Sequence, residues 1–147
     1  METTKQYTYA YPRPAVTTDA IILKKETAEL LLIRRAKDPF KNKWALPGGF
    51  IEMDEVLETA CRRELQEETG LTVDKLEQFR VYDAVDRDPR GRTLSVIFYG
   101  FVEKDAEVKG GDDAAEAAWF KMENLPELAF DHAEIILDFL RLLSLSR

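Results

Sequence analysis

Glu64, Glu67 and Glu68 fall within one turn of a helical stretch, and they are the residues in this chain whose types and spacing most directly suggest chemistry. They belong to Gly49–Leu71, GFIEMDEVLETACRRELQEETGL, which has neither proline nor glycine between 55 and 69. At about 100° per residue, Val56, Leu57, Ala60, Cys61 and Leu65 share one apolar arc. Glu64 and Glu68 sit in the middle of that arc and Glu67 at its edge. Inward carboxylates are costly unless a cation neutralises them, and their mutual repulsion grows as the local dielectric falls. A hard divalent cation meets the need, because Mg²⁺ takes oxygen ligands, keeps several waters and typically uses one or two carboxylates plus substrate phosphates. Arg63 stands four residues before Glu67 and can pair with it along the helix. The competing reading is a solvated acidic helix end, the usual meaning of a glutamate run. The inward placement of the acids and the Pro47-Gly48-Gly49 turn just ahead of them favour a site, since the glycines let backbone approach a ligand closely.

The elements that must position these residues follow from the pattern. Asp54 suits an N-cap with Glu55 in the first turn, and Gly70 suits the C-cap, so a helix is expected over 55–69. Before it, AVTTDAIIL and ELLLIRR (29–35) read as a hairpin, followed by a short apolar segment at 44–46. After it, 73–86 and 93–102 read as strands joined by the turn DRDPRGR, and 116–122 as another strand. Residues 103–114 form a polar loop with Gly110-Gly111-Asp112-Asp113. A final helix starts at Asp131, with Glu134 three residues on and Phe130 able to staple onto Ile135. Its apolar face is Ile135, Ile136, Phe139, Leu140 and Leu143. Hairpins mixed with one central and one terminal helix indicate an α+β fold.

With 147 residues, one domain over 1–147 is expected, with 1–13 as an extended arm. A net charge of −7 disfavours nucleic acid and anionic membrane as partners, so an anionic substrate must be drawn in locally. The single cysteine, Cys61, excludes an intrachain disulfide and suits a reducing compartment. With no apolar run of transmembrane length and no signal-peptide core, the expected location is cytoplasmic. His132, the only histidine, opens the last helix and is expected to be exposed and structural.

Gly49, Glu55, Arg63, Glu64, Leu65, Glu67, Glu68, Gly70 and Leu71 resemble, position for position, the box of the Nudix hydrolases. The resemblance runs through essentially the whole chain from Pro14. It implies a helix–sheet–helix sandwich with a mixed sheet, the box forming a loop–helix–loop. It also implies hydrolysis of a diphosphate linked to another moiety, with Mg²⁺ or Mn²⁺ as cofactor. Carried over, Glu64 and Glu68 are metal ligands, Glu67 is a ligand or water-activating group, and the Gly48 carbonyl is a further donor. Arg63 then holds a box glutamate, with Glu55, Gly49 and Gly70 shaping the motif. The general base is sought among Asp112, Asp113 and Glu116, with Glu116 preferred, and Arg35 and Arg92 are substrate contacts. The flanks PRPAVTTDAIIL, WALPGGFIE, RDPRGRTLSV and LAFDHAEIIL resemble the ADP-ribose pyrophosphatase branch, with Pro89 beyond the box. The implied substrate is ADP-ribose or a similar nucleoside diphosphate sugar, and the implied assembly a homodimer. The alternatives are a nucleoside triphosphate pyrophosphatase and a ligand-sensing domain related to transcription regulators.

Overall fold

Along β1 (Ala15–Lys24) the side chains alternate between two buried layers, and that alternation sets the architecture. Ala20 and Ile22 pack with Cys61 and Leu65 of α1 (Leu57–Thr69), whereas Ile21 and Leu23 pack with Ile135, Ile136 and Phe139 of α2 (His132–Leu145). The helices therefore cover opposite faces of one sheet, the helix–sheet–helix arrangement of an α+β fold. The computed structural model describes residues 6–111 and 114–145.

Among the described residues the sheet has seven strands. β1 lies antiparallel to β2 (Glu29–Arg35), as the hairpin reading expects, and parallel to β6 (Thr93–Val102) along its whole length. β2 also pairs with β3 (Trp44–Ala45) and β7 (Ala114–Lys121), β4 (Gly48–Phe50) with β1, and β5 (Glu77–Tyr82) with β6, all antiparallel. Parallel and antiparallel pairs together make the sheet mixed.

Some boundaries differ from the sequence reading for physical reasons. The turn expected at Pro47-Gly48-Gly49 continues into β4, whose Gly48 and Gly49 pair with Asp19 and Thr18. A methyl group on Gly48 would lie 2.1 Å from the Thr18 carbonyl oxygen, so only glycine allows this approach. The strand expected over 73–86 is confined to β5, because Val73 and Leu76 are drawn into the core layer beneath α1. Helix α1 begins two residues later than expected, with Val56 as an extended N-cap making no side-chain bond, and Val56 is exposed rather than on the apolar arc. Asp54 does not cap; the Glu55 carboxylate, gripped by Arg63, accepts the Glu52 N–H instead. Gly70 caps the other end in left-handed conformation at φ 73°, as expected. Phe130 belongs to a cluster apart from Ile135, its ring against Phe40 and His132.

Candidate functional site

Arg63 organises the acidic face of α1. Its guanidinium donates to both oxygens of Glu55 at 3.0 and 2.7 Å, to Glu64 at 2.9 Å and to Glu67 at 3.2 Å. A further bond to the Phe50 carbonyl, 3.3 Å, ties the preceding loop to the helix. The contact with Glu55 raises the Arg63 pKa and lowers that of Glu55, so both stay charged.

Burial grades the three box glutamates. Glu68 is buried, Glu64 has 15 % of its side chain exposed, and Glu67 has 42 %. Burial pushes the Glu68 carboxyl up to about 9, aided by Glu64 and Asp19, although the Gly48 N–H donates to its Oε1 at 2.8 Å. Burial raises Glu64 as well, against the pull of Arg63. Gly49 leaves room for this pair, because a methyl group there would stand 2.7 Å from a Glu64 oxygen.

Glu64, Glu68, Gly48 and Gly49 are among the residues that line a cavity of about 360 Å³. Among the described residues no three His, Cys, Asp or Glu side chains converge closely enough to hold a metal unaided. The donor set nevertheless fits a hard divalent cation, which commonly uses one or two carboxylates and completes its shell with substrate oxygens and water. A buried carboxyl poised at about 9 beside a second carboxylate is a group that ionises readily only when a cation joins it.

The rest of the cavity is built from residues that the motif does not name. Asp19 of β1 is buried, and burial pushes its carboxyl up to about 7. It terminates a buried chain of polar contacts. Asp131 accepts two bonds from Arg87 at 2.8 and 2.6 Å, Arg87 donates to Ser95 at 2.7 Å, and Ser95 meets Thr17, which donates to Asp19 at 3.3 Å. A well-satisfied network of this kind fixes side chains that would be costly if left alone. The Asp131 carboxylate is thus taken up by Arg87. Burial pushes His132 down to about 4, and its Nδ1 accepts the Leu46 N–H at 3.0 Å. Expected to be exposed, the residue is instead buried at the cavity lining, because it clamps the chain entering the Pro47-Gly48-Gly49 segment.

Cations and rings line the same cavity. Arg35, expected as a substrate contact, lines the cavity and donates to the Pro39 carbonyl at 2.7 Å. Arg90 lies over Phe50 at 4.6 Å and Phe130 at 5.2 Å, and Asp88 holds it through both carboxylate oxygens. Arg92 is directed elsewhere, donating to the Asp83 and Ala84 carbonyls. Glu116 lies on β7 opposite Arg34, binds its Nε at 3.1 Å, and is absent from the cavity lining. Asp112 and Asp113 lie outside the described residues. Sequence reasoning missed Asp19, Arg87, Arg90 and Phe130. The available signals were a charge inside an otherwise apolar strand and the arginine-rich turn DRDPRGR.

The chain resembles known proteins along most of its length. It is 49 % identical over 131 residues to the ADP-ribose pyrophosphatase of Methanocaldococcus jannaschii, covering 89 % of this chain and 76 % of that protein. It is 34 % identical over 132 residues to the ADPR responsive transcriptional repressor NtrR of Acinetobacter baylyi, covering 86 % of this chain and 53 % of the repressor, about half its length. Among solved structures, the NUDIX domain of Shewanella oneidensis NrtR complexed with ADP ribose superposes with a TM-score of 0.85 at 28 % identity, covering 91 % of each chain. A bifunctional NMN adenylyltransferase/ADP ribose pyrophosphatase of Francisella tularensis, complexed with AMP and Mn ion, gives a TM-score of 0.78 at 31 % identity, over 90 % of this chain and 43 % of the other. With residues 13–141 matching the NUDIX domain and Glu64 and Glu68 of the box lining one cavity, the chain belongs to the NUDIX domain family, as a Nudix hydrolase.

Proposed function

We propose that this protein hydrolyses the diphosphate of ADP-ribose, or of a similar nucleoside diphosphate sugar, to a nucleoside monophosphate and a sugar phosphate. The observation that carries the reading is one cavity lined both by desolvated carboxylates, Glu64 and Glu68, and by arginines, Arg35, Arg87 and Arg90. A diphosphate suits such a mixed lining, a divalent cation joining it to the carboxylates and the arginines meeting its remaining oxygens. The relatives that act on or respond to ADP-ribose support the choice of substrate.

Glu64 and Glu68, with the Gly48 carbonyl, would hold Mg²⁺ or Mn²⁺. When bound, the ion would neutralise charge on the phosphates and acidify the attacking water. Arg63 keeps Glu64 and Glu67 aligned. Arg35 offers a guanidinium to a phosphate oxygen, a charge-assisted contact that favours planar, two-point recognition. We assign water activation to Glu67, which Arg63 ties to Glu64 on the same face of α1, rather than to Glu116, which lies on β7 beside Arg34. Kinetics on ADP-ribose with Mg²⁺, scored by release of AMP and ribose 5-phosphate, test the proposal.

A second reading is favoured by the superposition on the ADP-ribose-bound domain of NrtR. Under it the chain binds ADP-ribose as a signal. Tight binding with negligible turnover would select it.

A further inference from the structure

We propose that Phe50 and Phe130 are the two walls of a slot for a flat nucleobase, and that the Arg90 guanidinium lying in the slot is displaced when the base enters. The inference rests on the reading that the cavity takes a nucleotide-type diphosphate, and it names the residues that hold the base.

The guanidinium is itself a flat group, delocalised and weakly hydrated. Its Cζ lies 4.6 Å from the Phe50 ring centre and 5.2 Å from that of Phe130, so one planar group reaches both rings at once. Both rings and Arg90 line the same cavity as Glu64 and Glu68, so a base in the slot and phosphates near the carboxylates share one space.

The two walls are held independently of Arg90. Phe50 ends β4, its backbone paired with Thr17 of β1. Its ring is 41 % exposed, although its backbone position is fixed by the sheet. Phe130 has φ 53°, a left-handed conformation that a bulky non-glycine residue rarely adopts and that persists only where the surroundings over-determine it. Phe40 at 4.7 Å and His132 at 5.4 Å supply that constraint.

Arg90, by contrast, is held by a single carboxylate. Its side chain is 38 % exposed and its charged partner is Asp88. Asp88 is buried, so the guanidinium keeps that carboxylate and pivots on it, giving up only its two weak cation–π contacts as it leaves the slot. Arg35 also lies 5.0 Å from Phe130, so a guanidinium remains beside the ring once Arg90 has moved. Stacking on aromatic walls suits any base, because each base presents a π-face.

The test uses adenosine, which is uncharged and needs no turnover, followed by NMR titration. Adenine H2 and H8 should shift upfield on binding the wild-type protein, the ring-current signature of stacking. Phe50→Leu and Phe130→Leu should each weaken adenosine at least about fivefold and reduce those shifts. Arg90→Gln should tighten adenosine by about threefold, because the occupant is gone. Phe130→Tyr, which keeps the ring, guards against a folding defect by binding as the wild type does. Unchanged binding in Phe50→Leu overturns the slot, and weaker binding in Arg90→Gln overturns the displacement. Because adenosine binding is read without catalysis, a failed slot with ADP-ribose still cleaved leaves the hydrolase reading intact. Intact stacking with no cleavage leaves the slot intact and removes that reading.

Discussion

Glu68 is the residue on which the chemistry turns. It is buried, beside a second carboxylate, and touched by the Gly48 N–H. Glu68→Gln keeps an acceptor for that N–H but removes a charge, so turnover should fall at least about a hundredfold while the fold persists. Turnover at saturating Mg²⁺, alongside a thermal melt, checks this. The two base candidates separate just as simply. Glu67→Gln should lower turnover at least about tenfold with little change in KM, the pattern of a group acting in the transition state. Glu116→Gln should stay within about threefold of wild type, since an exposed pair with Arg34 contributes little. The opposite ranking in side-by-side kinetics would move the base to β7. At this scale the box was legible because fixed spacing on a helix makes three acids face one way. Asp19 was not legible. Within AVTTDAIIL its burial depends on β4 and β6 closing around it, and nothing local announces those partners.

At the scale of elements, the site is a joint between α1 and β4. Gly49 is where the two meet, its missing side chain making room for the Glu64 carboxylate. In Gly49→Ala the methyl group would press on the flexible end of Glu64, which can move aside. The melting temperature should therefore change by no more than about 4 °C, whereas turnover drops about tenfold because a positioned carboxylate has shifted. A variant with unchanged turnover would show that the close approach is incidental. Both helices, the β1–β2 hairpin and β6 were legible from periodicity and from Gly70. The start of α1 was not, because Glu55 bonds to Arg63 and leaves the cap to Val56. β4 was hidden as well, since a Pro-Gly-Gly run reads as a turn unless the neighbouring strand is known.

For the whole molecule, buried polar groups around the cavity link stability to pH. His132 is neutral and accepting at Nδ1, with its pKa pushed down to about 4 by burial. The unfolded chain binds the proton more readily between about pH 6.5 and 4, so the histidine's contribution is complete above that window and is lost as pH falls through it. Asp19 works the other way. Its carboxyl is raised to about 7, so its contribution is present at low pH and is lost as pH rises through that value. The wild-type curve therefore mixes the two, and the difference from His132→Asn isolates one. Denaturant titrations should show the wild type gaining on the variant by up to about 3 kcal/mol between pH 4 and 6.5. A constant difference would mean that His132 does not titrate in the window. The arginine-rich wall, with Arg87, Arg90 and Phe130 brought against Arg35, exists only at this scale. Arg87 and Arg90 share one turn, but Arg35 and Phe130 lie far from it in sequence and from each other, so no window of sequence contains the whole wall.

The reaction proposed for this cavity is divalent-ion-assisted hydrolysis of a nucleoside diphosphate sugar. Its most direct test is kcat/KM for ADP-ribose, UDP-glucose, dATP and 8-oxo-dGTP at equal Mg²⁺, with products identified and a chelator control. The expected result is that ADP-ribose yields AMP and ribose 5-phosphate at least about tenfold faster than either triphosphate is cut, a preference needing only ~1.4 kcal/mol, and that chelator abolishes it. Faster cleavage of a triphosphate with release of pyrophosphate, or ADP-ribose cleavage untouched by chelator, would contradict it.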